Sequence, residues 1–446
     1  MPPWTDWRPA SPALTNRPWS GWSRTVSTCG SARSARDPAH DPSRTRASHH
    51  DSHLNPPNPK EQPVDTSNPD TSPAASSPTD PPHVRRHPVA IVGTGGIAHA
   101  HARGLAETGR FEIVAAVDVD QQRCADFCEK WDIPSHHPDL ASLLDSEEVA
   151  VVHLCTPPGS HRPLAVEALE RGVTVLCEKP PAMTLADMDL ILAAEATSRG
   201  SFATVFQHRF GSAGALLAQL AHDGSLGQPM SAVCNTLWFR DDAYFSPDWR
   251  GKWTNEGGGP TMGHGIHQMD LMLAVLGPWS QVTAVAKRQA RPTNTEDLSA
   301  AIVEFDNGAV ATVLNSLTAP RESSHLRFDF ARATVEVEHV YGYAPEDWRF
   351  TPAMDDPDAA ELWRPAPDAK SGHASQFRAI ADALDAGVPI PVTSDQSRLT
   401  MELVAAIYAS AFEGRPVQRG DITPKSPFAT LMDGHQTPWP DVKEPH

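Results

Sequence analysis

Three short runs hold side chains whose types and spacing could do chemistry. The first is Glu178-Lys179-Pro180-Pro181, directly after an apolar run over residues 174–177. A lysine partly desolvated at the end of a buried strand has its pKa lowered and can then exchange a proton with a hydroxyl. A solvated turn is the competing reading, because Glu-Lys-Pro is ordinary turn composition. The second run opens on Gly257-Gly258-Gly259 and continues through Gly263, His264, His267 and Asp270. On a helix over residues 264–276, His264, His267 and Asp270 recur every three residues and share one flank. That set admits an acid/base histidine, a metal site or a capped structural helix. In the third run, Trp238, Tyr244, Trp249 and Trp253 interleave with Arg240, Asp241, Asp242, Arg250 and Lys252. Aromatic faces beside charged forks suit polyols and sugar rings, or an acidic sugar paired with arginine. A loop packed on its own aromatics is the alternative.

A fourth stretch, residues 87–118, has the order strand, phosphate turn, helix, strand, acidic residue. An apolar run at 89–92 leads into Gly93-Thr94-Gly95-Gly96, a helical pattern runs to Gly109, and a second apolar run at 113–117 ends in Asp118. Gly93 allows the sharp turn, and Gly95 lets backbone approach a pyrophosphate. Ala98 is the third small position, where helix packs on sheet. The helix begins near Ile97, and its N-terminal amides face the phosphates with partial positive charge. Asp118 can bond both ribose hydroxyls, and its charge repels a 2′-phosphate, so NAD is favoured over NADP.

These residues need elements to hold them. Strand-helix alternation continues after Asp118, with a buried strand at 149–155 and the loop Thr156-Pro157-Pro158-Gly159-Ser160-His161 at its carboxyl edge, where ligands of such sheets bind. Helices follow at 163–171 and 186–198, with strands at 174–177 and 202–206, the latter ending in Gln207-His208-Arg209. Beyond this the pattern changes to longer strands, at 229–240, 281–289, 298–305, 309–316 and 326–338. Asn307-Gly308 marks a hairpin. Apolar residues at both parities in 298–316 predict a sheet covered on both faces. Residues 341–368 read as loop, and 372–385 and 396–412 as helices. The expected fold is α/β: a doubly wound parallel sheet, then an α+β domain with a large open, mostly antiparallel sheet. The expected divisions are 1–86 as a disordered Pro/Ser-rich extension, 87–208, 209–420, and 421–446 as a loose tail.

The chain has 446 residues and a net charge of −18, which argues against a general nucleic-acid binder. No run reaches the length of a membrane span. The six cysteines are scattered without a CxxC pair. Cys124 and Cys128 lie one helical turn apart, but no partner follows at zinc spacing. Reduced thiols and a cytoplasmic location are the expectation. Trp4, Trp7, Trp19 and Trp22 stand out in the extension, without a spacing that supports a helix.

The runs Gly93-Thr94-Gly95-Gly96-Ile97-Ala98, Thr156 to His161 and Glu178-Lys179-Pro180, in this order and spacing, resemble the Gfo/Idh/MocA oxidoreductases. The resemblance covers residues 87–417. It implies NAD- or NADP-dependent chemistry at hydroxyl carbons of sugars, cyclitols and their derivatives. It puts Gly93, Gly95, Gly96, Ile97, Ala98, Asp118, Thr156, Pro157, His161, Glu178 and Lys179 on the cofactor side. Lys179 falls on the lysine held to position the substrate hydroxyl, and a cis peptide is implied before Pro180. His267 falls on the family's catalytic histidine, which favours the acid/base reading, and no metal is implied. On the substrate side the resemblance and the aromatic run gather His208, Arg240, Tyr244, Trp249, Arg250, His264 and Asp270. The run Trp249-Arg250-Gly251-Lys252-Trp253 resembles members acting on sugars, including nucleotide-activated ones. Many members carry Asp or Asn where this chain has Gly263. Either His264 or a water supplies the polar group, or the chemistry is altered. The open sheet implies a homo-oligomer.

The expectation is therefore an NAD-dependent dehydrogenase or reductase acting on a small sugar-like substrate. Two rivals remain: a non-catalytic dinucleotide-binding regulator, marked by NAD binding without turnover, and an NAD-dependent glycoside hydrolase, marked by sugar release without net NADH.

Overall fold

The computed structural model describes residues 86–353, 363–367 and 369–443. The extension expected over 1–86, with its four tryptophans, lies outside them apart from Arg86.

The first sheet is wholly parallel. Its strands are β1 (His87–Val92), β2 (Phe111–Val117), β3 (Ser135–His137), β4 (Val151–Leu154), β5 (Thr174–Cys177) and β6 (Phe202–Thr204), in the order β3-β2-β1-β4-β5-β6. Helices α1 (Ala98–Thr108), α2 (Gln121–Trp131), α3 (Leu140–Ser146), α4 (His161–Glu170) and α5 (Leu185–Glu195) make the crossovers. Covering both faces explains why β4 and β5 read as continuous apolar runs. Polar side chains start the helices: Asp120 accepts from the Arg123 amide at 3.1 Å, and Thr184 from that of Asp187 at 3.0 Å. The strand order reverses between β1 and β4, and that switch point opens a crevice at their carboxyl ends.

The second sheet has eight strands: β7 (Pro229–Phe239), β8 (Trp279–Lys287), β9 (Leu298–Phe305), β10 (Val310–Ser316), β11 (Thr318–Phe330), β12 (Ala333–His339), β13 (Trp348–Pro352) and β14 (Val417–Gln418). Every pairing is antiparallel except β7 with β10. Around it lie α6 (Ser212–His222), α7 (Trp253–Glu256), α8 (Pro260–Gly263), α9 (Ile266–Leu276), α10 (His373–Ala386), α11 (Ser394–Glu413) and α12 (Pro427–Thr430). Helix α11 packs on β8, α5 and α9, and so ties the two sheets together.

Several expectations change here. The run at 326–338 is a hairpin, with Ala331 and Arg332 turning β11 into β12. Residues 341–368 contain β13, and β3 and α6 were not foreseen. The sheet is not covered on both faces: Val285, Ile302 and Val310 are 52, 53 and 42 % exposed, while their neighbours in sequence alternate inward. Within the described residues of this chain, the apolar side chains at the outward parity are therefore left uncovered. The segment from Asp421 is not loose over its described part. Phe428 and Met432 are buried, and burying such a phenylalanine contributes about 2 kcal/mol. Proline richness hid this packing, since Pro427 serves as the first residue of α12.

Candidate active site

The crevice at the switch point has a volume of about 880 Å³ and is lined by Gly93, Gly95, Gly96, Asp118, Thr156, Pro157 and neighbours. Gly93 has φ +90°, and a Cβ there would sit 2.9 Å from the Cys155 carbonyl oxygen, so only glycine makes this turn. A Cβ at Gly95 or Gly96 would meet nothing within 4 Å, which leaves both backbones facing the crevice. Ala98 is fully buried and opens α1, while Ile97 is partly exposed beside it. Asp118 accepts from the Thr94 amide (2.8 Å) and hydroxyl (2.7 Å), from the Asp120 amide (2.9 Å), and from Arg123 through Nε (3.1 Å) and Nη2 (2.6 Å). Burial pushes its pKa up, but the Arg123 fork and the Asp120 and Thr94 donors outweigh that and hold the carboxyl well below the usual range. The crevice thus offers what a dinucleotide needs: bare glycine backbone, a helix N-terminus and a fixed carboxylate.

Pro157 and Trp249 also line a second cleft of about 700 Å³. Lys179, His264, His267, Tyr244, Arg250, Glu256 and Tyr341 face it. The Lys179–Pro180 bond is cis. Lys179 Nζ donates to the Gly263 carbonyl at 3.2 Å. Burial lowers its pKa, Glu178 opposes that, and Arg250 adds to it.

His267 is buried, and neither ring nitrogen has a hydrogen-bond partner among the described residues. Burial, then His208 and Lys179, push its pKa well below the ordinary value, so the ring is neutral. His208 lies behind it, stacked at 4.8 Å, and is not part of the cleft wall. Burial takes His208 down to about 3. His264 falls in the break between α8 and α9, not on the expected helix. It packs edge-on to Trp238 at 5.1 Å and is kept neutral by burial and by Lys179, Arg240 and Arg250 nearby.

Other expected residues do not face either cavity. Asp270 is fully buried and takes both forks of Arg209, with Thr400 at 3.3 Å. Its role is to anchor α9. Arg240 lies over Trp238 and Tyr244 and pairs with Glu322. His161 bonds the carbonyls of Thr156 (2.8 Å) and Pro180 (2.9 Å), and so fixes the two loops that meet at the cleft. The Glu178 carboxylate turns away into a buried chain, with His101 Nε2 at 2.9 Å and His373 Nε2 at 3.4 Å. His101 and His153 are hydrogen-bonded through their Nδ1 atoms, 3.0 Å apart. Burial disfavours the charge on Glu178, but the two histidines hold its pKa well below the ordinary carboxyl value. The ligating atoms of His101, Glu178 and His373 lie within 4.8 Å of one another, in contacts that are those of a hydrogen-bonded chain.

The glycine run lets backbone pass close to neighbouring protein atoms. A Cβ on Gly258 would strike the Tyr408 hydroxyl (2.2 Å), and one on Gly259 the Glu296 carbonyl (2.0 Å). Gly263 is different, since a Cβ there would meet nothing within 4 Å. Packing does not require glycine at that position. Tyr341, Asn255 and Glu256 were missed. Tyr341 follows β12, far along the chain from Lys179, and no spacing links the two.

Both halves match family models. Residues 88–206 match the Gfo/Idh/MocA oxidoreductase model for the NAD-binding Rossmann fold, and residues 215–338 match the Gfo/Idh/MocA C-terminal domain. The chain belongs to the Gfo/Idh/MocA family. Among its relatives, D-apiose dehydrogenase of Paraburkholderia graminis is 25 % identical over 78 % of this chain and 93 % of that protein. D-glucoside 3-dehydrogenase of Escherichia coli is 27 % identical over 74 and 97 %. The Gfo/Idh/MocA fold recurs in the WlbA dehydrogenase of Bordetella pertussis, solved with NADH and UDP-GlcNAcA. It is 23 % identical over 75 % of this chain and 99 % of that one, with a TM-score of 0.66. Levoglucosan dehydrogenase, solved with NADH and L-sorbose, gives 19 %, 76 and 100 %, and 0.68. Among the described residues no helix is long and apolar enough to cross a membrane.

Proposed function

We propose that this Gfo/Idh/MocA protein is an NAD-dependent dehydrogenase or reductase acting at a hydroxyl or carbonyl carbon of a sugar, cyclitol or related polyol. One observation carries the reading. Lys179 and a neutral His267 with free ring nitrogens face one cleft, and that cleft adjoins the dinucleotide crevice at Pro157 and Trp249. The relatives named for D-apiose and D-glucosides support a carbohydrate class.

Gly93, Gly95, Gly96 and Asp118 would hold NAD, whose nicotinamide would accept or donate the hydride. The protein's own residues manage the proton. Lys179 Nζ hydrogen-bonds the reacting hydroxyl, and desolvation brings its neutral form within reach. His267 takes or returns the hydroxyl proton at a ring nitrogen. Tyr244, Trp249 and Arg250 give the sugar ring apolar faces and a guanidinium edge. Where many members of the family carry Asp or Asn, Gly263 offers open space and a carbonyl that Lys179 Nζ already engages, and His264, next in sequence and lining the same cleft, is the side chain proposed to take over. The exposed face of the second sheet is the proposed surface for assembly into a homo-oligomer.

NADH formation with D-apiose, methyl glucoside and myo-inositol, alongside the NAD-induced rise in melting temperature, tests the reading. Turnover of at least one polyol supports it. NAD binding with no turnover on a broad panel turns the assignment towards a dinucleotide-binding regulator, the reading that Gly263 favours.

A further inference from the structure

The loop over residues 241–253 carries Tyr244, Trp249 and Arg250 into the cleft; Phe245 and Trp253 are buried, but Trp249 between them is 47 % exposed. Part of what holds the segment between them comes from residues far along the chain. Lys443 Nζ donates to three loop carbonyls, those of Phe245 (2.5 Å), Arg250 (2.7 Å) and Pro247 (3.2 Å). An ammonium has three N–H donors, so this contact uses all of them.

Lys443 is itself fixed through Asn294. The Asn294 side chain accepts from the amides of Val442 (2.9 Å) and Lys443 (2.8 Å) and donates to the Lys443 carbonyl (2.8 Å). Its backbone carbonyl accepts from the indoles of Trp253 (2.9 Å) and Trp439 (2.8 Å), and its amide donates to the Gly251 carbonyl (2.7 Å). Arg288 holds the Pro440 carbonyl at 2.7 Å, and Trp439 packs edge-on against Phe412 of α11. Residues 437–443 therefore form a strap tied down at Trp439, Pro440 and Asn294, with Lys443 as its tip. On the opposite side the loop has its own brace: Glu256 binds Arg250 and the Gly251 amide.

We infer that Lys443 is a positioning residue for the substrate cleft: its ammonium gathers the carbonyls of Phe245, Pro247 and Arg250 and so presents Trp249 and Arg250 to the sugar. The role in substrate binding rests on the reading of the cleft given above. The clamp itself does not.

Hydrogen exchange of the full chain, read by mass spectrometry over residues 241–256, decides it. Lys443→Met removes all three bonds. The Arg250 and Gly251 amides are expected to exchange about tenfold faster, which corresponds to losing one net hydrogen bond to a charged group. Exchange in the first sheet and NAD affinity stay at parent values. Lys443→Arg keeps charge and donors and exchanges like the parent. With D-apiose, methyl glucoside and myo-inositol as probes, the sugar KM rises about tenfold while kcat moves less than about threefold, the pattern of lost uniform binding.

Unchanged loop exchange, loosening spread over the whole chain, or an arginine variant that behaves like methionine overturns the clamp. Faster exchange with an unchanged sugar KM overturns its role in substrate binding. If the parent oxidises none of the three probes, exchange alone judges the clamp, and the dehydrogenase reading is judged by the broader panel.

Discussion

The dinucleotide crevice and the substrate cleft share two residues, yet they are built in opposite ways. The glycine turn and the carboxylate of the crevice come from one stretch of sequence, while residues 138–141, 155–157 and Trp249 add to its wall. The end of β1, the glycine turn, α1 and the end of β2 follow one another from Val92 to Asp118. Its chemistry is largely backbone, and side chains enter mainly to fix Asp118. The cleft draws on segments from Pro157 to Tyr341, and Lys443 grips its loop from farther still. The chemistry proposed for it rests mainly on side chains, His267 and Lys179, with the Gly263 carbonyl beside them. A site made of local backbone tolerates change elsewhere in the chain. A site assembled at long range depends on every element that carries it.

That contrast predicts separable damage. The largest effect belongs to the cleft. His267→Asn keeps a planar polar side chain but loses the imidazole, and turnover should fall about 10²–10⁴-fold, the usual range for a lost general acid/base. NAD affinity, measured by titration, should stay within about twofold. A parallel loss of NAD affinity would break the comparison.

The crevice should fail differently. Gly93→Val forces a β-branched residue to φ +90° against the Cys155 carbonyl. Backbone strain of this kind costs about 1–3 kcal/mol. Urea unfolding should show that loss, and NAD should no longer raise the melting temperature.

How much of this was legible follows from the same contrast. The glycine turn, Asp118 and the order of the first sheet could be read directly, because strand, turn and helix periodicities are local. Lys179 and His267 could be singled out only because family motifs sit on them. Spacing alone left His267 open to a metal or structural reading. The helix expected from His264 was misjudged because Pro260 starts a separate turn and the chain breaks before Ile266. Tyr341 and Lys443 carried no signal at all, since their partners lie far away in sequence. The tail looked loose because composition says nothing of where Phe428 and Trp439 will dock. The apolar run at 298–316 misled for a related reason: alternation reports which face is buried, but not whether the other face meets solvent or a partner.

A smaller effect sharpens the comparison by pH. Burial holds Lys179 below the ordinary lysine value, so its neutral form appears at lower pH than for a free lysine. Oxidation should rise with pH and level off before the ordinary lysine range. His267 is held well below the ordinary histidine value of 6.5, so its protonation should bring no acid limb near that pH. Asp118 is held well below the usual carboxyl range, so NAD binding should stay flat where turnover still climbs.

The central claim is that the ammonium at position 179 serves the cleft and not the crevice. Lys179→Ala, assayed side by side for NAD affinity and for NADH formation on the polyol panel, tests it most directly. The account predicts NAD affinity within about twofold of the parent and turnover lowered by about 10² or more. Undiminished turnover, or NAD affinity falling in step with it, would contradict the account.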